Sequence, residues 1–246
     1  MKGEALFELW VYLAATPLAG LTMTLVAYCV GYALYARCRF HPLANPVLVA
    51  VVLIVAGLQL GAVSYGTYFA GAQFVHFLLG PAVVGLAVPL AREWRSVRRL
   101  AVPVAGALAV GSTVALVTAV GVAWALGASP ATLASLAPKS VTAPIAMGIA
   151  EQIGGVAALA AVFAVATGII GAALGKYVLD AVRVRDWRAR GFALGLAAHG
   201  IGTARAFQVN AEAGTYAGLA FGLHGVLAAF ALPFLWRFLR FVAGGP

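Results

Sequence analysis

Residues 40–91 read FHPLANPVLVAVVLIVAGLQLGAVSYGTYFAGAQFVHFLLGPAVVGLAVPLA, 52 residues without one Asp, Glu, Lys or Arg. A helix needs about 20 apolar residues to cross about 30 Å of hydrocarbon, so this run has room for two crossings. Outward from it the pattern repeats. Leu9–Ala36, Leu100–Pro138, Gln152–Gly175 and Ala213–Trp236 are also uncharged, and each is long enough to span. Over the whole chain 63% of residues are hydrophobic and 9% are charged. A soluble domain carries about 25% charged residues. A soluble enzyme, a disordered chain and a collagen-like chain are thereby excluded, and the sequence reads as one all-α polytopic membrane domain over residues 1–246.

The net charge of +9 is concentrated at the ends of the apolar runs. Arg37 and Arg39 form one group, Arg92, Arg95, Arg98 and Arg99 a second, Arg183, Arg185, Arg188 and Arg190 a third, and Arg237 with Arg240 a fourth. Short Arg-rich loops stay cytoplasmic, where anionic lipid attracts them. The basic balance therefore points to the lipid bilayer as partner and not to nucleic acid. Lys2 is offset by Glu4 and Glu8, and the apolar run behind them is too long for a removable signal peptide.

Placing all four basic groups inside demands an even number of crossings between successive groups. This predicts crossings near 9–36, 46–65, 68–91, 101–126, 153–178, 191–211 and 214–237. The N-terminus is then outside and the C-terminus cytoplasmic. Residues 129–151 are left over as a re-entrant broken helix. They contain Pro138-Lys139-Ser140-Val141-Thr142-Ala143-Pro144. Each proline removes an N–H and crowds the preceding turn, and broken backbone at membrane depth survives only beside protein or a water-filled cavity. Lys139 at mid-membrane would cost about 2.5–3.5 kcal/mol on insertion scales. It is either a snorkelling loop residue or, with Ser140 and Thr142, part of an anion site facing the N-terminus of the helix that starts near Pro144.

A second polar break is His199-Gly200-Ile201-Gly202-Thr203-Ala204-Arg205. Arg205 offers a planar fork for a carboxylate; the alternative is a structural pair with Glu212. His199 is a substrate donor or a titrating group, and Glu151 is a second candidate proton carrier. Gly80-Pro81 and Pro89 loosely resemble the break at Pro138 and Pro144, which suggests an internal repeat of the kind many transporters use. His76, His224 and Gln59 read as packing or network residues, and Gly168, Gly171 and Gly175 as a close-packing stripe. No GxSxG, HExxH or Walker loop is present, and the histidines lie too far apart for a local metal motif, so neither an enzyme nor a metal or other cofactor is expected. Cys29 and Cys38 are about 13 Å apart along a helix, beyond disulfide reach.

Several runs resemble the LrgB/CidB family of bacterial membrane proteins. They are Leu136-Ala137-Pro138-Lys139-Ser140-Val141-Thr142-Ala143-Pro144-Ile145-Ala146, Ala198-His199-Gly200-Ile201-Gly202-Thr203-Ala204-Arg205-Ala206, Leu78-Leu79-Gly80-Pro81 through Pro89-Leu90, and Asn45-Pro46. The similarity runs over about residues 10–237. One departure stands out: the family pattern has Asn before the glycine of the last helix, where this chain has His224-Gly225.

The resemblance implies two function classes. Bacterial members are described as antiholin- or holin-like proteins that control murein hydrolase activity and autolysis with a small LrgA/CidA partner. A plant relative is a plastid glycolate/glycerate translocator, and some bacterial members are linked to pyruvate movement. The residues favour a carrier of small monocarboxylates, since a holin-like pore has no need of cationic and hydroxyl groups at two broken helices. The expected substrate-binding set is Lys139, Ser140, Thr142, His199, Thr203 and Arg205. The expected backbone breaks lie at Pro138, Pro144, Gly200, Gly202, Gly80 and Pro81. An elevator-type fold in the bacterial inner membrane, with scope for homo-oligomerisation, completes the expectation.

Overall fold

The computed structural model describes residues 17–41, 44–78, 91 and 94–242. Every regular element among them is helical. The expected breaks at Gly80 and Pro81, Pro89 and the side chain of His76 lie outside the described residues. The chain divides into two compact units, residues 1–85 and 86–246.

In the first unit α1 (Pro17–Arg37) packs against both α2 (Pro46–Leu60) and α3 (Tyr65–Phe77). Asn45 caps α2: its Oδ1 accepts from the N–H of Val47 at 2.8 Å and of Leu48 at 3.3 Å, with Pro46 in the first turn. Gly31 lets the Pro46 backbone approach α1, since a Cβ there would stand 2.6 Å from the Pro46 carbonyl oxygen. Thr24 and the Tyr68 hydroxyl share a hydrogen bond of 2.8 Å between α1 and α3. The expected crossing at 46–65 is a helix of 15 residues, shorter than a full span.

The second unit contains α4 (Trp94–Arg99), α5 (Ala101–Ala125), α6 (Pro130–Leu136), α7 (Ala143–Ile153), α8 (Ala157–Ala181), α9 (Trp187–Val209) and α10 (Ala211–Val242). Among the described residues of both units, four helices are long and apolar enough to cross a membrane: Leu18–Arg37, Ala101–Ala125, Ala157–Ala181 and Ala211–Phe238. No residue of α5 is buried; Val102 is 84% and Trp124 71% exposed. A face that apolar suits lipid and not water. The core of this unit is built from small residues, with Ala146, Ala150, Ala160, Ala164, Ala198, Ala217 and Ala220 all fully buried, as helices in lipid pack.

Between the long helices lie two helical hairpins. The first is α6, a break at residues 137–142, and α7. Ser129 and Pro130 start it, with Ser129 Oγ accepting from the Thr132 N–H. Gly154 ends it in the left-handed region at φ 85°, which glycine adopts without a Cβ penalty. The Val156 N–H then donates to Ser135 Oγ at 2.8 Å. The chain therefore returns beside the point it left, and the broken segment expected at 129–151 is a hairpin with residues 137–142 at its tip.

The second hairpin corrects an expectation. Residues 191–211 were expected to cross once, but Arg188, in the first turn of α9, lies 3.7 Å from Glu212 in the first turn of α10. A Cβ on Gly191 would strike the Ala213 carbonyl and one on Gly195 the Ala217 carbonyl, so the two helices advance together and run parallel. An unbroken α9 would make them antiparallel. The reversal falls at Ala198 (φ −121°, ψ 15°) and His199 (φ 41°, ψ −134°). Past it Gly202 lies against the Leu194 backbone, eight residues back, where an unbroken helix would separate the two by about 12 Å.

Consequently α10 starts at the end where α9 enters and runs past the first hairpin, into whose core cluster Ala228, Leu232 and Trp236 pack. Leu100 and Val104 pack with Phe192 and Tyr216 at the other end. Arg237 is thus carried to the opposite end of this unit from Arg98, Arg99 and the group at 183–190. The expectation that all basic groups share one side does not hold here.

Candidate functional site

The hairpins enter from opposite ends of α8 and their tips meet midway. A Cβ on Gly200 would touch Thr142 Cγ2 at 4.0 Å, while Gly168 of α8 faces the His199 ring. Two half-helices therefore begin at the junction, α7 after Thr142 and the second half of α9 after His199. The first N–H groups of a helix lack intrahelical partners, and its N-terminal dipole end is positive. Both features favour an anion between the tips.

The side chains at the tips add to this. Lys139 is half-buried, and its ammonium donates to Ser140 Oγ at 3.2 Å. Ser140 and Pro138 line a cavity of about 250 Å³ with Ser112 and Thr113 of α5 and His224 of α10. The His199 Nε2–H donates to the Ala164 carbonyl at 2.9 Å. In a neutral ring that leaves Nδ1 as a bare acceptor, and Nδ1 is buried without a partner. The Ser112 hydroxyl is the other such buried atom among the described residues. His199 also holds a positive φ that a side chain adopts at a cost of about 1–3 kcal/mol.

His224, read from sequence as a packing or network residue, lines the same cavity as Ser140. Its Nδ1–H donates to the Leu196 carbonyl at 3.1 Å, one of the carbonyls orphaned by the break in α9. The ring lies within electrostatic range of Lys139 and His199. The available signal was an ionisable imidazole midway along a 28-residue apolar helix, which at membrane depth is a functional flag.

The remaining expected residues stand away from the tips. Thr203 is buried one turn behind His199, and its hydroxyl donates to the His199 carbonyl at 2.8 Å. Gly202 serves close packing, as do Gly171 against Ala198 and Gly175 against Leu194. Glu151 is exposed near the far end of α7, about 13 Å along the axis from Thr142. Arg205 does not line the cavity of Ser140 and His224; it lines another, beside Arg190 and Lys176.

The chain matches the model of the LrgB-like family over residues 24–238. It is 36% identical to YxaC of Bacillus subtilis (strain 168) over 217 residues, covering 88% of this chain and 94% of the relative. It is 35% identical to YwbG of the same organism over 79% of this chain and 87% of that one. Against antiholin-like protein LrgB of Bacillus mycoides (strain KBAB4) the identity is 30%, over 91% and 97%. No solved structure matches.

Proposed function

The chain belongs to the LrgB-like family, and we propose that it is a membrane carrier for a small monocarboxylate of the pyruvate, glycolate or glycerate kind. The observation that supports this best is the meeting of two half-helix N-termini beside Lys139 at the tips of opposed hairpins, with Thr142 facing Gly200. Lys139 and the helix ends neutralise the carboxylate. Ser140 bonds the hydroxyl or keto oxygen, His199 and His224 accept from a substrate hydroxyl, and Thr142 closes the site from the first tip. Movement of the hairpins against the long helices, as in an elevator, exposes the site to each side in turn. With the arginines at 95–99 and 183–190 cytoplasmic in a bacterial inner membrane, α10 ends on the outer side.

A second reading, control of murein hydrolase activity alongside a small LrgA/CidA-type protein, is favoured by the antiholin-like name of relatives 30% identical. Counterflow separates the two. Proteoliposomes preloaded with unlabelled glycolate or pyruvate should accumulate the labelled acid transiently while retaining a neutral dye of similar size. Dye release without counterflow would defeat the carrier reading.

A further inference from the structure

The cavity that contains Arg205 carries its own chemistry. Of about 330 Å³, it is lined by Lys176 and Asp180 near the end of α8, Arg185 in the connecting loop, Trp187 and Arg190 at the start of α9, and Arg205 in its second half. Four cations face one carboxylate. Arg190 is pinned: it pairs with Asp180 at 2.7 Å, donates to the Val184 carbonyl at 2.7 Å and stacks 5.5 Å from the centre of the Trp187 ring. Asp180 is thus engaged, and Lys176 and Arg185 line the same space, whose lining holds no second acid.

Sidedness alone explains arginines in a loop but not this cluster. Arg205 lies fifteen positions after Arg190, about 22 Å along an unbroken helix, and reaches the same cavity only because α9 doubles back. Ala172, Leu194 and Val209 supply apolar lining beside the cations. Guanidinium groups recognise phosphate oxygens through paired donors, and basic pockets between membrane helices take anionic headgroups.

We propose that this cavity binds a phosphate-bearing anion, a phospholipid headgroup or a soluble phosphate ester, which ties both halves of the second hairpin to α8.

Full-length protein in neutral detergent would be titrated with short-chain phosphatidylglycerol, short-chain phosphatidylcholine, glycerol 3-phosphate and inorganic phosphate, with binding read by thermophoresis. Phosphatidylglycerol should bind more tightly than phosphatidylcholine, and K176Q and R185Q should each weaken it about tenfold or more. Both substitutions leave the Arg190–Asp180 pair in place. Binding of phosphatidylglycerol without the water-soluble anions identifies a lipid headgroup as the ligand; binding of glycerol 3-phosphate or phosphate identifies a soluble one. R98Q/R99Q, at the same end of the unit but outside the cavity, should change affinity by less than about twofold. The proposal is overturned if no anion binds better than phosphatidylcholine, or if R98Q/R99Q weakens binding as much as the cavity variants do.

Discussion

Arg188 reaches Glu212 at 3.7 Å although nearly the whole of α9 lies between them. Both ends of α9 are therefore at one end of the unit, and the segment doubles back. The topology and the proposed transport both depend on this reversal, because it brings a second helix N-terminus to mid-depth.

Labelling tests the reversal. In a background lacking Cys29 and Cys38, single cysteines at Arg188 and Asn210 should show the same sidedness toward an impermeant thiol reagent. A cysteine at Arg237 should show the opposite. A α9 that crossed the bilayer would place Arg188 and Asn210 on different sides.

The entry to the second hairpin is capped by Asp186, whose Oδ1 accepts from the N–H groups of Arg188 at 2.8 Å and Ala189 at 3.1 Å. The Arg188 side chain beside it, then the Ala189 N–H, hold its carboxyl below the usual range. A depressed pKa stabilises the fold above the unfolded value of about 3.9 and loses that contribution as pH falls through the lower folded value. Asp186→Ala should cost about 0.5–2 kcal/mol near neutral pH, with Asp186→Asn retaining much of the cap. The difference in melting temperature between wild type and Asp186→Asn should stay level from neutral pH to about 5 and close below about 4. A gap that persists in acid would exclude the charge as its source.

Much of this was legible in the sequence. Uncharged runs marked the helices long and apolar enough to cross a membrane, the arginine groups did not yield the count of crossings, and Pro138 and Pro144 around Lys139 marked the first tip. The second tip was legible as a break but not as a reversal. Glycines inside a helical pattern read as tolerated loosening, and here the left-handed turn falls on His199 while Gly200 and Gly202 give close approach. A turn made by a strained non-glycine residue leaves no compositional mark. The place of Arg205 was illegible for the same reason: on a straight helix it trails His199 toward the far side, whereas after a reversal it heads back toward Arg190.

Gly168 exists to seat His199. A Cβ there would lie 2.8 Å from the ring Nε2 and 2.8 Å from Ile201 Cδ1, closer than either can remain. Gly168→Ala should break the bond to the Ala164 carbonyl and lower counterflow about tenfold or more at matched expression. Gly121→Ala, which meets nothing within 4 Å, should leave it unchanged. Equal losses in both variants would assign the effect to helix packing at large.

Lys139 distinguishes a site cation from a snorkelling one. Lys139→Gln should raise the KM for the acid by about ten- to a hundredfold, the worth of one charge-assisted bond, with Lys139→Arg recovering part of it. A KM unchanged in Lys139→Gln, with normal melting behaviour, would mean that the ammonium faces the headgroups and takes no part in binding.

His224 carries the sharpest prediction because its tautomer is fixed by its partner. The Leu196 carbonyl can only accept, so Nδ1 holds the proton and the neutral ring presents Nε2 as an acceptor. An acceptor beside Ser140 suits a substrate hydroxyl, which donates, and not a keto oxygen, which cannot. Asn offers an NH₂ donor as well as an acceptor. His224→Asn should therefore shift preference toward the keto acid, lowering the ratio of glycolate to pyruvate affinity by about tenfold, the worth of roughly one hydrogen bond. Competition of each acid against labelled pyruvate counterflow measures the ratio directly, and expression or folding defects cancel from it. A ratio that does not move while both affinities fall would return His224 to a purely structural role at the break in α9.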